Sequence, residues 1–306
     1  MIESSIGEII KRMRITYGIS QSRLCNGLCS VSMLSKIESG ERYPSRLLYD
    51  ALIERGGGIE AEQNCVVVAE DMEISKARDA ITRATEENKK SEFEQSIQKL
   101  REMISNHDTI NQQFILEMES RWSTTVEEKR TKLFQAISTT CPGFQIENFS
   151  DYLLCKNELM IINNIVCSYI EDNELLYAYR LFQKLLNYIK VHTKFDAKAD
   201  TIYPVILSNY IHCSYLMEKY DEIIQCIDSG IDACIKNKIY RLLPNLYFHK
   251  CATYSKLGRV NEVKETALYA YYLCNMLGEV SLAKHLKDEL EKRMGVSFEV
   301  SVTSTY

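Results

Sequence analysis

The first 56 residues place apolar side chains at the three-to-four residue spacing of several short helices. Ile6, Ile10 and Met13 share one face of the first helix, and Leu48 and Leu52 share a face of the last. N-capping serines and glycine-containing turns set the boundaries between these helices. They are Tyr17-Gly18, Ser20, Asn26-Gly27, Ser30 and Ser39-Gly40. Two short helices joined by a glycine-containing turn, inside a compact set of four or five, predict a helix-turn-helix.

From Ile74 to Met294 the pattern changes to longer amphipathic helices, apolar on one stripe and charged on the other. Three segments within this region resemble one another, at residues 163–169, 209–215 and 246–254. Each is followed by a polar turn and a second amphipathic helix. Aligning Tyr169, Tyr215 and Tyr254 gives a repeat of the length found in arrays of helical hairpins, in which each unit buries its apolar face against the next. Two weaker units are expected at about 73–106 and 109–141, and a capping helix at Leu282–Met294.

Glycine and charge mark the boundary between the two regions. Seven of the 12 glycines precede residue 59, and the run Gly56-Gly57-Gly58 is a plausible helix stop. Residues 1–56 hold eight Lys and Arg against six Asp and Glu, so this segment is +2 and the remainder of a chain with net charge -5 is -7. We therefore expect a head at residues 1–58, a linker helix at 59–72, a repeat domain at 73–295 and a tail at 296–306. The predicted fold class is all-α.

Composition excludes several other classes. Only 12 Gly and 4 Pro in 306 residues argue against a turn-rich all-β sandwich or barrel. Eleven scattered Cys with no tight pairs fit a reducing compartment better than a disulfide framework. No run of 18 apolar residues and no basic leader is present, so the sequence predicts a cytoplasmic protein that does not enter a membrane.

Catalytic and metal-binding patterns are not found in the sequence. No histidine has a Cys or His partner at metal spacing, and no phosphate-binding glycine loop or nucleophile elbow occurs. His212-Cys213 and His249-Lys250-Cys251 are neighbours on helices, where adjacent side chains point apart. We expect no catalytic site, metal or cofactor. Cys25 is interpreted as a small core residue, and oxidation sensing by it would need a lowered thiol pKa.

Residues 6–55 resemble the XRE family of phage-repressor helix-turn-helix regulators. The resemblance rests on Ile6-Gly7-Glu8-x-Ile10-Lys11, Arg14, Gly18-Ile19-Ser20-Gln21-x-x-Leu24, Leu34-Ser35-Lys36-Ile37-Glu38-x-Gly40 and Pro44. It implies that the third helix enters the major groove of double-stranded DNA while the second lies over the backbone. Cys25 departs from the family, which usually has alanine there.

The XRE resemblance and the chemistry of the side chains give a set of candidate DNA contacts. They are Gln21, Val31, Ser32, Met33, Ser35, Lys36 and Arg42. Arg14 and Glu38 match the family's structural pair, which ties the first helix to the end of the third. The third helix has few of the Gln, Asn and Arg residues that read bases bidentately, so DNA shape or dimer symmetry would have to assist. The alternative is a degenerate head that serves as an interaction module.

The repeats resemble tetratricopeptide units. A helix-turn-helix head on such a body resembles the peptide-pheromone receptors of the Rgg, PlcR and PrgX type. That resemblance implies a homodimer formed through the repeat domain, and a short signalling peptide that binds the repeats and changes DNA binding. Asparagines on the inner helices commonly hold the peptide backbone in those receptors. The candidate peptide contacts here are Asn163, Asn209, Asn245, Tyr210 and Phe248.

Two functions from different classes therefore stand. The first is a quorum-sensing transcriptional regulator gated by a peptide. The second is a protein-interaction adaptor of tetratricopeptide type, with a tethering or vestigial head. For the asparagines, the alternative role is to cap hairpins or to bond neighbouring helices.

Overall fold

The computed structural model describes residues 6–57, 69–192 and 202–278, together with 283–284, 287–288 and 291–292. The predicted all-α class is confirmed in these residues, which form helices and turns without a strand. The predicted tail and residues 59–68 of the predicted linker lie outside the described part of the chain. So does more than half of the predicted capping helix.

The helices of the described ranges are mostly paired into hairpins. They are α1 (Ile6–Thr16), α2 (Gln21–Cys25), α3 (Val31–Glu38), α4 (Arg46–Arg55), α5 (Ala69–Glu86), α6 (Lys90–Met103), α7 (Thr109–Ser120), α8 (Val126–Thr140), α9 (Lys156–Glu171), α10 (Leu175–His192), α11 (Ile202–Leu216), α12 (Tyr220–Lys236), α13 (Leu243–Lys256) and α14 (Val260–Met276). Short 3-10 turns span Ile146–Asp151 and Tyr240–Leu242. None of these helices combines the length and the apolar character needed to cross a bilayer.

The chain divides into two compact units. The first comprises Met1–Glu174 and Asn187–Asp196, and the second comprises Leu175–Leu186 and Ala197–Tyr306. Helices α1–α4 of the head belong to the first unit together with the hairpins that follow them.

In the head, the serines predicted as N-caps begin α2 and α3. Ser20 accepts a hydrogen bond from the N–H of Arg23, and Ser30 accepts one from the N–H of Met33. Each bond satisfies one of the backbone donors that a helix leaves unpaired in its first turn. The apolar positions of the four helices then form one core, whose fully buried members include Ile10, Leu24, Leu34, Ile37 and Leu52.

Gly7 determines how closely α1 approaches the end of α3. A Cβ atom at Gly7 would lie 1.8 Å from the carbonyl oxygen of Ile37, which is far inside van der Waals contact. Glycine is therefore required at this position for the close approach of two backbones.

The weaker units expected at 73–106 and 109–141 correspond to the hairpins α5/α6 and α7/α8. Their apolar stripes meet in a core that includes Ile81, Phe93 and Leu100. The Arg78 guanidinium lies 3.9 Å from the centroid of the Phe114 ring, which is a cation–π contact between the two hairpins.

In the second unit, α11/α12 and α13/α14 are consecutive hairpins. Helix α13 packs against α11, α12 and α14, so the first helices of the two hairpins are neighbours. Gly230 on α12 lies where a Cβ would come within 3.4 Å of side chains on α11 and α13. A small residue is what allows these three helices to pack together.

The turns that end α9, α11 and α13 share one geometry, and they correct the repeat alignment. In each turn one residue is left-handed: Asn173 (φ 61°), Glu218 (φ 60°) and Gly258 (φ 71°). The N–H of the next residue donates to a carbonyl five positions earlier, which is that of Tyr169, Ser214 or Tyr254. The equivalent of Tyr169 and Tyr254 is therefore Ser214 and not Tyr215, because α11 is offset by one residue.

Candidate functional site

The exposed face of α3 carries most of the candidate DNA contacts. Val31, Ser32, Ser35 and Lys36 are exposed, while Leu34, Ile37 and Glu38 of the same helix are buried in the head. The division follows from helical periodicity, which turns positions 34, 37 and 38 to one side. This leaves a small polar and cationic surface on a helix whose opposite side is fixed.

Met33 and Arg42 have a different setting from the other candidates. Met33 is half-buried, and both residues line a cavity of about 600 Å³ that is bounded on its other side by Asp108 and Ile110. Ile110 also packs against the apolar core of the head. The first turn of α7 therefore lies beside these two side chains.

Arg14, Gln21 and Glu38 form one network inside the head. Arg14 donates from Nε to Glu38 Oε1 (2.6 Å) and from Nη2 to Oε2 (2.8 Å), and its Nη1 donates to the carbonyl of Ile19 (3.0 Å). The pair joins α1 to the end of α3. Burial raises the pKa of the Glu38 carboxyl, but hydrogen bonds from Arg14 and Gln21 outweigh it and hold that pKa below its usual value.

Gln21 is placed differently from the expectation of a phosphate contact. Its Nε2 donates to Glu38 Oε2 (2.8 Å), so one amide proton is used within the head. Its position in the first turn of α2 makes it the third member of the ion-pair network. A phosphate contact by its other amide proton stays a prediction.

The corrected register changes which asparagine on α9 corresponds to Asn209. Counting back from the shared turn, Asn164, Asn209 and His249 occupy equivalent positions on α9, α11 and α13. All three are half-buried, whereas Asn163 is buried, with 1% of its surface exposed, and donates to Asn164 Oδ1 (3.2 Å). Sequence similarity missed Asn164, and the turn residues carried the signal that identifies it.

The second unit brings several of the predicted peptide contacts onto one face. Asn209 and His212 lie one turn apart on α11, and Asn245 and His249 lie one turn apart on α13. The His212 and His249 rings meet across the two helices, with centroids 5.5 Å apart. These four residues define the α11/α13 face.

The two predicted aromatic contacts differ in exposure. Tyr210 is buried, stacks on Tyr179 with ring centroids 5.4 Å apart and donates its hydroxyl to that of Tyr179 (3.3 Å). Phe248 is half-buried beside His249. Tyr210 therefore packs inside the second unit, and Phe248 is the aromatic candidate with surface to offer.

The cysteines and histidines of the described chain lack the arrangement of a reactive or metal-binding site. Within the described residues, no cluster of three metal-ligating side chains occurs. Burial raises the pKa of the Cys25 thiol and raises that of Cys29 to about 12, which opposes thiolate formation and so opposes oxidation sensing. Cys213 is fully buried while the adjacent His212 is exposed, as expected for neighbours on a helix.

Comparison with known proteins places the repeat region in a family. Residues 78–287 match the RNPP family C-terminal domain. Among curated protein sequences none matches the chain significantly.

Solved structures show the same fold at low sequence identity. PlcR of Bacillus thuringiensis, solved with the peptide PapR7 and DNA, is 17% identical with a TM-score of 0.59, over 92% of this chain and 99% of that one. Aspartyl phosphate phosphatase F of Bacillus subtilis is 13% identical with a TM-score of 0.55, over 96% and 81%. ComR of Streptococcus thermophilus is 18% identical with a TM-score of 0.49, over 94% and 98%.

The match to the family C-terminal domain spans most of the chain, including every hairpin of the second unit. The hairpin repeats, their shared turns and this match lead to one conclusion. The chain belongs to the RNPP family.

Proposed function

We propose that this protein is a sequence-specific DNA-binding transcription regulator, whose repeat region binds a short signalling peptide that changes its grip on DNA. The observation that carries the proposal is the exposed polar face of α3 in a chain of the RNPP family. PlcR, which shares the fold, holds both a peptide and DNA in its solved complex.

The head supplies the chemistry for DNA. In this proposal α2 and α3 are the helix-turn-helix, and α3 enters the major groove. Ser32 and Lys36 donate to base edges or phosphates, and Val31 contacts a thymine methyl group. The ion pair between Arg14 and Glu38 fixes α3 on α1, so the reading surface is rigid before DNA arrives.

A single head is too small for selective binding, and we propose a homodimer on two half-sites. One module of this size buries about 600–1,000 Å² on DNA, which is less than a typical specific complex. Dimer symmetry would double the contacts and compensate for the few bidentate side chains on α3.

The α11/α13 face supplies the chemistry for a peptide. An asparagine amide both donates and accepts, which suits capture of a peptide main chain whatever its side chains. Asn209 and Asn245 are the proposed main-chain contacts of the second unit, and Asn164 is the equivalent residue on α9. Phe248 offers an apolar surface to a peptide side chain.

One observation favours a second candidate, the adaptor. The phosphatase that shares the fold at a TM-score of 0.55 is named for a different activity, so the helical repeats serve more than one function. An adaptor would bind a partner protein through the repeats and would have no need of the exposed face of α3.

The experiment that separates the two candidates is selection of sheared genomic DNA by the purified protein, followed by sequencing of what is retained. The regulator predicts one motif with two-fold symmetry. Replacement of Lys36 by alanine should weaken binding and lower the slope of log affinity against log salt by about one, since one phosphate contact releases about one counterion. The matched control is Lys90→Ala, an exposed lysine on α6.

Retention of DNA without a common motif, with equal affinity for wild type and Lys36→Ala, would contradict the regulator and favour the adaptor. Selective binding by wild type that Lys90→Ala keeps and Lys36→Ala loses would contradict the adaptor.

A further inference from the structure

His212 and His249 form a pair of imidazoles at the centre of the α11/α13 face. Their ring centroids are 5.5 Å apart and the planes are inclined by 52°. His249 stands where α9 and α11 carry Asn164 and Asn209, so the third hairpin replaces an amide with a titratable ring. The amide proposed to hold a peptide main chain thus gives way to an imidazole within reach of a second one.

His249 has an unused hydrogen-bonding atom. Its Nδ1 is buried and has no hydrogen-bond partner. A buried polar atom without a partner costs about 1–3 kcal/mol, so its retention in a packed helix needs an explanation. A ligand that hydrogen bonds to this atom would remove the cost.

The charges around the pair leave it free to receive an anion. Helix α11 contains no Asp, Glu, Lys or Arg, and α13 contains only Lys250 and Lys256. Lys250 is engaged by Asp228 of α12, with Nζ 2.6 Å from Oδ1. The titratable groups that face α13 from the packed elements are Tyr215 and His212 of α11, Asp228 of α12, Tyr269 of α14, and Tyr240 and Arg241 of the adjoining 3-10 turn.

The protonation of the pair in the free protein is set by burial. Burial, and then the charge of His212, lower the pKa of His249 to about 4, and burial also lowers the pKa of His212. Both rings are therefore neutral near pH 7. A metal would need further ligands, and the described residues hold no third one beside the pair.

We infer that His212 and His249 form a subsite for a carboxylate of the bound peptide, either its C-terminal carboxylate or an Asp or Glu side chain. This inference rests on the proposed peptide-binding function. The carboxylate accepts hydrogen bonds from an N–H of each ring, and Asn209 and Asn245 hold the main chain one turn away. The anion stabilises the imidazolium, so peptide binding is coupled to uptake of a proton.

The coupling has a defined sign. The bound state has the higher histidine pKa, so peptide affinity rises as pH falls from neutral toward the pKa of the free protein. With one proton taken up, affinity changes by up to about tenfold per pH unit in that window. Replacing the pair should remove this dependence.

The test is affinity selection from a pool of random short synthetic peptides, made once with free C-termini and once amidated. Wild type, His212→Gln/His249→Gln, Asn209→Ala and the exposed control His107→Gln are compared at about pH 7.5 and about pH 6, where an ordinary histidine titrates. Circular dichroism melting of each variant confirms that it is folded.

The expected result is that wild type and His107→Gln enrich peptides that carry a carboxylate at a fixed place. A preference lost on amidation identifies the C-terminus, and one lost on Asp→Asn or Glu→Gln exchange in a recovered peptide identifies a side chain. The double histidine variant should bind the recovered peptides about tenfold more weakly at about pH 6, with a flat pH profile.

Peptides that need Asn209 but show no preference for a carboxylate would overturn the subsite and leave the proposed function standing. Binding abolished by EDTA would overturn it in favour of a metal. Failure of the folded wild type to enrich any peptide would overturn both the subsite and the proposed peptide binding.

Discussion

Arg55, the last residue of α4, forms a buried ion pair with Glu158 in the first turn of α9. Both side chains are almost wholly inaccessible, at 2% and 0% exposure. Arg55 also donates to the carbonyls of Asn26 (2.6 Å) and Thr140 (2.9 Å). Burial lowers the pKa of Arg55, but the charge and hydrogen bonds of Glu158 outweigh it and raise the pKa above its ordinary value, so the guanidinium stays charged.

Loss of one partner of this pair should be severely destabilising. Arg55→Met or Glu158→Gln leaves its partner buried without its counter-charge, at a cost of about 3–5 kcal/mol in the free energy of unfolding. Chemical denaturation of each variant measures the change. The exposed pair Glu8 and Arg12 on α1 is the control, and its disruption should change stability by less than about 1 kcal/mol.

The double variant Arg55→Met/Glu158→Leu distinguishes a stranded charge from lost packing. Removing both charges should restore part of the stability lost in either single variant, because an ion pair replaced by apolar groups leaves no charge uncompensated. Additive losses in the double variant would show that the contacts to Asn26 and Thr140, and not the pairing, carry the effect.

Glu38 should make the stability of the protein depend on pH. Its folded pKa is depressed below the ordinary 4.5, so its contribution is present above that value and is lost as pH falls through the folded pKa. Acid unfolding followed by circular dichroism should therefore show a steeper fall in wild type than in Glu38→Gln. Equal pH dependence in the two would mean that the carboxylate gains nothing from Arg14 and Gln21.

Asn163 and Asn164 should separate stability from ligand binding. Asn163→Ala removes a buried amide and should lower the melting temperature. Asn164→Ala and Asn209→Ala, at equivalent half-buried positions, should keep the fold and weaken peptide binding. Melting curves and peptide affinity decide it, and the reverse outcome would reinstate the alignment on Tyr215.

The head cysteines should be slow to react. Because burial raises the pKa of Cys25 and raises that of Cys29 to about 12, few thiolates exist at neutral pH. Reaction with Ellman's reagent should be slow in the native protein and fast after denaturation. A rapid native phase that is lost in Cys25→Ala would revive the oxidation-sensing interpretation.

Local sequence pattern determined much of the architecture. Helical periodicity and serine caps predicted the helices of the head, because the N-cap bond involves residues three apart in the chain. The same periodicity predicted the exposed face of α3 and the hairpin repeats. Pairing of Arg14 with Glu38 followed from the resemblance to a known motif, since no local rule relates two charges on different helices.

Tertiary structure decided the rest. The pair Arg55 and Glu158 lies 103 residues apart in sequence, and nothing in the chain marks either residue as buried. The equivalence of Asn164 with Asn209 depended on left-handed turns at Asn173 and Glu218, which involve residue types that can also stand in ordinary loops. The meeting of His212 with His249 arose from the packing of α11 on α13. Side chains on separate helices acquire their environment, and with it their pKa and chemistry, only when those helices pack.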